Sequence, residues 1–543
     1  MRPLPEPSRR AIAVPTLPDL LVSAAERSPD ADAVVFPERR ATYAQLLRGA
    51  EDVARGLLAR GVGRGSMVGV LMANSMEYAE ALLGTSLVGA VPVLVNARYR
   101  STELAHVLHD ADFAVVLVND VAAEHADHVE LLRQVMGTMR PGTPGAADVV
   151  MLGSSCPDGV VPREEFLGTG AQVDPGEVHL ARSRVRLSDP AVMMYTSGTT
   201  AIPKGCPLGH EALVRTAMQA GRTRFRLDAG DRVFDPLPMF HMSFLLPFVA
   251  ALDAGAAILL MTHFEPGAAI ELIERERPTV DFSSFPTIAQ AMLDHPAFDA
   301  SKHRSVRLIN VVAPPDYLRS LQRDLPHAVQ ISAYGCTEVG GVCAFGDVDD
   351  GDEVRATTSG RPFDGIEVQI RDLETGAVLG VGERGEILVR GYNVFGGYHN
   401  DPVKTAECFD ADGWFRTGDI GSLDDDGRIT YLGRTKDMLK VGGENVAAAE
   451  IESRLLLHPA VAIAQVVGAP DARLGEVPVA FVELRPGREP TDDLAAELAE
   501  HCRGHLASFK VPRRVLFVDS WPMSATKIQK HRLREQLAGQ GTT

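Results

Sequence analysis

The sequence has no hydrophobic run long enough to cross a bilayer. A membrane-spanning helix needs about 20 consecutive apolar residues, and the longest candidates, Leu82–Val95 and Phe244–Met261, are interrupted by Gly, Pro or Asp. The first 18 residues hold five prolines and three arginines but no apolar core. We therefore expect no integral membrane segment and no secretory signal, and interpret residues 1–17 as a flexible lead-in.

Paired cysteines and positive charge are also scarce. The six cysteines include no Cys-x-x-Cys pair, which disfavours a zinc knuckle or a disulfide framework and favours the reducing cytoplasm. The formal net charge is −18, so a nucleic-acid partner is not expected. An acidic protein that binds an anion must create positive potential locally, with few, individually placed lysines.

The order of predicted elements indicates a multidomain α/β protein. A chain of 543 residues is too long for one compact core. Helical patterns alternate with short apolar runs over most of residues 18–434, which predicts a large domain of layered α/β subdomains. Frequent turn signals mark a β-rich subdomain over about 355–432. Residues 435–543 read as a small α+β domain.

A strand predicted over Ala191–Met194 leads into a loop, Tyr195–Gly205, that is rich in hydroxyl groups and glycine. Small residues let backbone N–H groups approach an anion, hydroxyls donate further hydrogen bonds, and a lysine neutralises charge. The order of residues around Pro203 differs from that of a Walker loop. We therefore predict a polyphosphate site rather than a Ser/Thr-rich surface turn. The expected ligands are Thr196, Ser197, Gly198, Thr199, Thr200 and Lys204.

This loop resembles the signature loop of the adenylate-forming superfamily, which includes acyl-CoA synthetases, adenylation domains of peptide synthetases, and luciferases. Ala201 stands where the family usually has Gly, and it is the loop position at which we first expect an altered rate. The resemblance extends from about Thr42 to Lys530, with six further motifs after the loop in the family's order.

Two further motifs resemble those that flank the nucleotide. Pro236–His241 is similar to the family's next motif, which implies that His241 lies between the nucleotide and the acyl pocket; ordinary packing of this histidine is the alternative. Asn310–Pro315 resembles the segment that lies along adenine. The resemblance therefore assigns Ala313 and Pro314 to nucleotide binding.

The expected lining of the acyl pocket is apolar. Val311 and Val312 stand where the family usually has Gly, and β-branched side chains would narrow the cavity they face. This lining favours an aliphatic or aromatic acid over an amino acid. The expected residues are Phe240, His241, Phe285, Val311, Val312 and Tyr334.

The segment Ala333–Glu338 is similar to the family's Tyr-Gly-x-Thr-Glu motif. The resemblance implies that Tyr334 and Gly335 receive the purine and that Thr337 donates to the α-phosphate. It assigns Glu338 to Mg²⁺, an ion that prefers one or two carboxylates together with phosphate oxygens.

Trp414–Asp419 is similar to the family's Thr-Gly-Asp motif. A carboxylate accepts hydrogen bonds from two vicinal hydroxyls, so the resemblance implies that Asp419 holds the ribose. Arg434, at the predicted domain boundary, would contact the ribose as well.

Lys436–Asn445 matches the family's hinge and the loop after it. The resemblance implies that the small domain rotates about Lys436, with one face completing adenylation and the other thioester formation. Lys440 then faces the adenylate in the second orientation, or is a solvated surface lysine. Gly442 and Gly443 let a pantetheine arm pass close to the backbone, or form a tight turn.

Near the C-terminus, Pro522–Lys530 resembles the family's Pro-x-Thr-x-x-Gly-Lys motif. Lys527 would be the adenylation lysine, which reaches the substrate carboxylate and the α-phosphate. The glycine that normally precedes this lysine is missing, so Lys530 is a rival. We favour Lys527 because the three residues after it continue the family's pattern.

The resemblance therefore implies an ATP-dependent acid–thiol ligase with a role in fatty-acid metabolism. A carboxylate attacks the α-phosphate of Mg·ATP to give acyl-AMP and pyrophosphate, and coenzyme A then displaces AMP. Acyl transfer to a separate carrier protein and a catalytically weak adenylate-binding paralogue are the alternatives, and a homodimer is left open. The residues assigned to catalysis are Lys527, Lys440, Glu338 and His241.

Two other patterns are given less weight. Gly380–Gly385 fits G-x-G-x-x-G, but a strand rather than a helix is predicted after it. The pairs His106/His109 and His125/His128 have a spacing that could hold a metal. Because no third ligand lies nearby, we expect solvated helix faces.

Overall fold

The computed structural model describes most of the chain, and the remaining residues include several predicted site residues. The described ranges are 13–121, 127–138, 148–155, 157–196, 203–441, 444–471, 473–503, 505–523 and 528–540. The predicted site residues outside these ranges are Ser197, Gly198, Thr199, Thr200, Gly442, Gly443 and Lys527.

Helices occur along the whole described chain. They are α1 (Leu17–Arg27), α2 (Tyr43–Ala59), α3 (Met76–Leu87), α4 (Ser101–Ala111), α5 (His128–Thr138), α6 (Arg163–Gly170), α7 (Pro175–Arg182), α8 (Thr216–Gln219), α9 (Met242–Ala254), α10 (Pro266–Glu276), α11 (Pro286–Leu293), α12 (Pro315–Asp324), α13 (Asp352–Thr357), α14 (Pro402–Cys408), α15 (Ala448–Leu456), α16 (Asp492–Arg503) and α17 (Lys530–Gln540). Helix α8 continues at both ends into π-helical turns, Glu211–Arg215 and Ala220–Phe225.

The strands of the first 345 residues are β1 (Asp32–Val35), β2 (Arg40–Thr42), β3 (Met67–Leu71), β4 (Val91–Leu94), β5 (Val115–Val118), β6 (Asp148–Met151), β7 (Pro190–Thr196), β8 (Lys204–Gly209), β9 (Arg232–Asp235), β10 (Ala257–Leu260), β11 (Val280–Ser284), β12 (Leu308–Val311), β13 (Val329–Ile331), β14 (Ala333–Tyr334) and β15 (Ala344–Phe345). The later strands are β16 (Arg361–Pro362), β17 (Ile366–Arg371), β18 (Gly385–Gly391), β19 (Phe415–Leu423), β20 (Ile429–Arg434), β21 (Met438–Val441), β22 (Glu444–Ala447), β23 (Val461–Asp471), β24 (Gly475–Leu484) and β25 (Arg514–Phe517).

Two large sheets form the centre of the molecule. Within the described residues, one has the order β6-β5-β3-β4-β7-β8 and is parallel except for the antiparallel β7–β8 pair. The other has the order β13-β12-β11-β9-β10-β1-β2 and is parallel except for β1–β2. Every residue of β4, β5 and β10 is buried, as expected for parallel strands covered on both faces.

Helices cover both faces of these sheets. The largest core cluster joins the sheets through α1, α2, α3, α8 and α9. Helices α4 and α5 pack on the outer face of the six-stranded sheet, while α10, α11 and α12 pack on the outer face of the other. The layers therefore alternate helix, sheet, helix, sheet, helix, and the predicted layered α/β architecture is confirmed.

The last third of the chain adds two smaller sheets. Strands β17 to β20 form an antiparallel sheet in chain order, within the segment where turn signals predicted a β-rich subdomain. After β20 ends at Arg434, β21 to β25 form a mixed sheet with its own core of residues from α15 and α16. None of the described helices is both long and apolar enough to cross a membrane.

Candidate active site

The stems of the predicted phosphate loop are two paired strands. In the antiparallel β7–β8 pair, Thr196 lies opposite Lys204 and Tyr195 opposite Gly205. A Cβ atom at Gly205 would lie 2.9 Å from the Cβ of His399, so this stem leaves no space for a side chain. The pairing brings the hydroxyl and the ammonium group that the sequence predicted for phosphate binding to the same end of the hairpin.

Glu338 lies beside this end of the hairpin. It belongs to a short 3₁₀ turn, Thr337–Val339, and its Oε1 accepts hydrogen bonds from the hydroxyls of Tyr398 at 2.9 Å and Thr196 at 3.4 Å. The Nζ of Lys204 lies 5.1 Å from the centre of the Tyr398 ring. The structure thus brings together Thr196, Lys204 and Glu338, which are up to 142 positions apart in the chain.

The carboxylate of Glu338 could bind Mg²⁺ only together with oxygens from a bound phosphate. Both hydrogen bonds of the Glu338 side chain end on Oε1, and Oε2 has no hydrogen-bond partner among the described residues. No group of three or more His, Cys, Asp or Glu residues within the described ranges is arranged to hold a metal ion. A hard cation at Glu338 would need phosphate oxygens to complete its coordination.

A second group of residues forms a cradle around Tyr334, four positions before Glu338 in the chain. Tyr334 is buried, and its hydroxyl donates to Oδ2 of Asp419 over 3.0 Å. Nε of Arg434 lies 3.1 Å from Oδ1 of the same carboxylate, since Asp419 and Arg434 are opposite each other on β19 and β20. Burial opposes the charge of Arg434, but Asp419 and its other neighbours raise the pKa of the guanidinium above its usual value. Arg434 therefore stays charged in this cleft.

Tyr431 enlarges the aromatic surface of the cradle. Its ring stacks against that of Tyr334, with 5.8 Å between centroids and 28° between planes, and 41% of the residue is exposed. A Cβ at Gly335 would lie 2.5 Å from the carbonyl oxygen of Gly341, so only glycine fits beside Tyr334. The arrangement offers a flat π-surface next to a carboxylate that can still accept hydrogen bonds, as a nucleoside requires.

Val311, the last residue of β12, faces the outer side of its sheet. Val311 is fully buried in the outer cluster with Leu318 and Leu321 of α12, whereas Phe240 belongs to the central core. The expectation that Val311 and Phe240 line one acyl pocket is therefore wrong. Val312 is 43% exposed.

Ala313 and Pro314 follow as half-buried residues at the start of α12. His241 is the residue before α9, with its ring centroid 4.6 Å from that of Phe240.

The predicted hinge lies in a 3₁₀ turn, Thr435–Asp437, between β20 and β21. Arg534 of α17 donates to the carbonyl oxygen of Lys436 over 3.3 Å and to Oδ1 of Asp437 over 2.9 Å. Burial, and then the nearby Arg434, lower the pKa of Lys436. Lys440 is an exposed residue of β21 whose backbone N–H donates to Glu476.

Lys530, the rival to Lys527, is engaged elsewhere. Its Nζ lies 2.6 Å from Oε1 of Glu452 on α15, and both side chains are largely buried. Lys530 therefore contributes to packing within the C-terminal part of the chain.

Sequence reasoning missed several residues around the site. Tyr398 follows two glycines in a loop and carried no recognisable signal, and Tyr431 lies within an ordinary strand pattern. Two histidines that were expected on solvated helix faces are instead bonded to backbone. His106 contacts the carbonyl oxygen of Pro203 at 2.8 Å, and the buried His128 contacts that of Ala97 at 3.1 Å.

The model of the AMP-binding enzyme family matches residues 21–399, and the model of the AMP-binding enzyme C-terminal domain matches residues 450–527. The chain belongs to the AMP-binding enzyme family. The first match contains the hairpin, Glu338 and Tyr334, and the second contains Lys527.

Curated relatives in this family span nearly the whole chain. The mitochondrial medium-chain acyl-CoA ligase of Mus musculus is 31% identical over 543 residues, covering 96% of this chain and 87% of the relative. A CoA ligase of Mycobacterium tuberculosis for a 7a-methyl-1,5-dioxo-octahydro-1H-inden-4-yl propanoyl group is 35% identical over 531 residues, covering 96% and 98%.

Solved structures agree with this assignment. An anthranilate CoA ligase in complex with anthranoyl-AMP superimposes with a TM-score of 0.87 at 26% identity, covering 98% of this chain and 99% of the other. ATP-bound MatB from Rhodopseudomonas palustris has a TM-score of 0.81 at 29% identity, covering 96% and 98%. The predicted class of enzyme, an ATP-dependent acid–CoA ligase that acts through an acyl-AMP, is confirmed.

Proposed function

We propose that this AMP-binding enzyme converts an aliphatic or aromatic carboxylic acid, ATP and coenzyme A into acyl-CoA, AMP and pyrophosphate. The observation that carries the proposal is the convergence of Thr196, Lys204 and Glu338 at the end of the β7–β8 hairpin. The cradle of Tyr334 and Asp419 lies next to this group. The loop side suits a polyphosphate and the cradle suits a nucleoside.

The first step must bring two anions together. In our assignment, Lys204 neutralises charge on the phosphates, while Lys527 reaches the substrate carboxylate and the α-phosphate. Fixed positive charge of this kind stabilises the charge that develops on a phosphoryl group during transfer. The pairing of Lys530 with Glu452 supports Lys527 over its rival, because Lys530 would have to leave a largely buried partner to act.

Glu338 would hold Mg²⁺ through Oε2, with Oε1 fixed by Tyr398 and Thr196. When bound, the ion supplies Lewis acidity to the phosphate oxygens. Thr337, the residue before Glu338 in the same turn, would donate to the α-phosphate. Asp419 would accept hydrogen bonds from the ribose hydroxyls, and its ion pair with Arg434 orients it for that task.

Thioester formation needs Lys527 withdrawn and a path opened for the thiol. We assign the domain boundary to the turn Thr435–Asp437, with Lys436 as the hinge, because this turn separates the β17–β20 sheet from the C-terminal sheet. Rotation there would exchange Lys527 for Lys440 and for the glycine pair Gly442 and Gly443. A hinge that gates two half-reactions is a known form of domain closure.

The acid is assigned from the apolar surroundings of His241. Phe240 is 5% exposed and packs against the histidine ring, and Phe285 is partly buried on the central core. Relatives named for medium-chain acyl, bicyclic propanoyl and anthranilate groups support a hydrocarbon or aromatic body. We place the enzyme in a reducing compartment such as the cytoplasm, on the free thiols of its described cysteines.

A panel of straight-chain, branched and aromatic acids, each with ATP and coenzyme A, tests this proposal. We expect equal amounts of AMP, pyrophosphate and acyl-CoA with the preferred acid, measured by mass spectrometry. Acyl-AMP that accumulates without acyl-CoA would overturn coenzyme A as the acceptor, and labelling of an added carrier protein would then identify the alternative. Failure of every acid would favour the weak adenylate-binding paralogue.

A further inference from the structure

Helix α4 contacts both stems of the phosphate loop. Nε2 of His106 lies 2.8 Å from the carbonyl oxygen of Pro203. One turn further along, Oδ2 of Asp110 accepts a hydrogen bond from the hydroxyl of Tyr195 over 2.6 Å. The ring of His106 also packs edge-on against that of Tyr195, with centroids 6.2 Å apart. The two stems are therefore tied to one rigid element and to each other.

The hydrogen bond from His106 to the carbonyl oxygen of Pro203 can form with either a neutral or a protonated imidazole. A proline carbonyl can only accept, so Nε2 of His106 must carry the hydrogen. The neutral ring with hydrogen on Nε2 and the protonated ring both meet this need. The contact therefore acts as a structural tie with either form of the ring.

Each tie ends on the residue that immediately precedes a predicted phosphate ligand. Pro203 precedes Lys204, and Tyr195 precedes Thr196. Thr196 and Lys204 are cross-strand partners in the β7–β8 pair. The contacts with α4 thus fix the backbone just before Thr196 and Lys204.

Further hydrogen bonds join neighbouring segments to the same hairpin and to α4. The hydroxyl of Tyr99 donates to the carbonyl oxygen of Tyr195 over 3.3 Å. The backbone N–H of His399 donates to Gly205 over 2.8 Å, and the side chain of Asn400 donates to the carbonyl oxygen of Asp110 over 3.0 Å. The loop that carries Tyr398, and through it Glu338, is therefore anchored to the same helix.

We propose that His106 and Asp110 are positioning residues for the adenylation half-reaction, which hold Lys204 and Thr196 in register with the phosphates of ATP. This inference rests on the proposed assignment of those two residues to the phosphates. Pyrophosphate leaves after the first step, so the side chains of Lys204 and Thr196 have no pyrophosphate group to bind during thioester formation. Loss of the His106 tie should accordingly slow adenylation and leave the second half-reaction unchanged.

The test compares H106L, which cannot donate, with H106Q, which can, and with H109L. His109 is an exposed histidine of the same helix, so H109L is a matched control. Adenylation is measured by carboxylate-dependent ATP–pyrophosphate exchange, and thioester formation by adding coenzyme A to synthetic acyl-AMP. Misplacement of a reacting group by about 1 Å can cost about 100-fold, and we expect H106L to lose roughly 10- to 100-fold in exchange with a higher KM for ATP.

The expected pattern is loss of exchange in H106L, recovery in H106Q, wild-type rates in H109L, and an unchanged second half-reaction throughout. Y195F, which removes only the hydroxyl bonded to Asp110, should reproduce the pattern if H106L does not fold. Equal loss of both half-reactions in these variants, or exchange in H106L equal to that in H109L, would overturn the inference. K204A separates the two proposals: normal exchange in K204A contradicts the phosphate assignment itself.

Discussion

Lys527 and Lys530 lie three positions apart but have different expected roles. Lys530 is paired with Glu452 in a largely buried contact, and breaking such a pair leaves a carboxylate without its cation. We therefore expect K530A to lower the thermal midpoint while adenylation by the folded enzyme continues.

K527A should behave in the opposite way. Removing one hydrogen-bond donor from a developing oxyanion costs about 100- to 1,000-fold in rate. Because Lys527 also carries charge, we expect at least that loss in ATP–pyrophosphate exchange, with an unchanged thermal midpoint. Thioester formation from synthetic acyl-AMP should continue in K527A. Exchange that survives in K527A and disappears in K530A would reverse the assignment.

Individual residues could be predicted where a motif carries its own chemistry. Thr196 and Lys204 were assigned from local sequence and Glu338 from its resemblance to a family motif, and the structure brings them together. Tyr398 could not be found in this way, because its partner Glu338 is 60 positions away and a tyrosine after two glycines fits many loops. Val311 was placed wrongly because a shift of one residue along a strand moves a side chain to the opposite face of the sheet.

At the scale of elements, the strands β7 and β8 flank the predicted phosphate loop. Its stems are held by pairing and by α4, while Ala201 stands where the family usually has Gly. Glycine gives a loop more conformational freedom than alanine. We therefore expect A201G to raise the rate of a step that requires loop movement, with KM for ATP changed by less than the rate.

Single-turnover kinetics on A201G would measure this directly. A rate of acyl-AMP formation that rises several-fold while ATP binding holds steady is the expected result. A rate equal to that of the wild type would show that the methyl group of Ala201 does not limit the loop. Alanine at an exposed glycine elsewhere, such as G351A, provides a control for general changes in backbone flexibility, since Gly351 has a φ of −66° and open space around it.

Most elements could be predicted from hydrophobic period and turn residues, but their contacts could not. Helix α2 begins directly after a short strand, because Thr42 caps it through a box with Gln45. The tie between α4 and the phosphate loop joins segments 97 positions apart. Such a contact depends on which sheet face each helix covers, and the helix pattern alone does not contain that information.

Across the whole molecule, His210 links the first helix to the central core. Its Nδ1 accepts from the backbone N–H of Leu17 over 3.1 Å, and burial lowers its pKa to about 4 from 6.5. Between pH 4 and 6.5, the unfolded chain therefore binds a proton at His210 more readily than the folded protein does. The stability supplied by neutral His210 is complete above about pH 6.5 and is lost as the pH falls toward 4.

The variant H210N tests this link. An asparagine oxygen can accept the same bond without titrating, so the wild type should lose stability relative to H210N by about 1.4 kcal/mol per pH unit below 6.5. Comparison with the variant is necessary because burial also raises the pKa of Asp281 to about 6. The folded state binds a proton at Asp281 more readily than the unfolded chain, so this group raises the free energy of unfolding as the pH falls. Thermal midpoints of both proteins from pH 7.5 to 5 provide the measurement, and parallel curves would contradict the prediction.

The layered arrangement of the large domain followed from the alternation of helices and strands, because each apolar face must be covered. The juxtaposition of the two large sheets did not follow, since it depends on packing between distant segments through one central core. The proposed active site lies where the hairpin of one sheet meets the segment that follows the other, Tyr334–Glu338.

The most direct test of the account follows the oxygen of the substrate carboxylate. If that oxygen attacks the α-phosphate and the thiol then breaks the acyl C–O bond, the oxygen must leave with AMP. With a carboxylic acid labelled with ¹⁸O and coenzyme A present, mass spectrometry should find one ¹⁸O atom in each AMP formed. Unlabelled AMP, or ADP and phosphate as products, would contradict an acyl-adenylate mechanism for this enzyme.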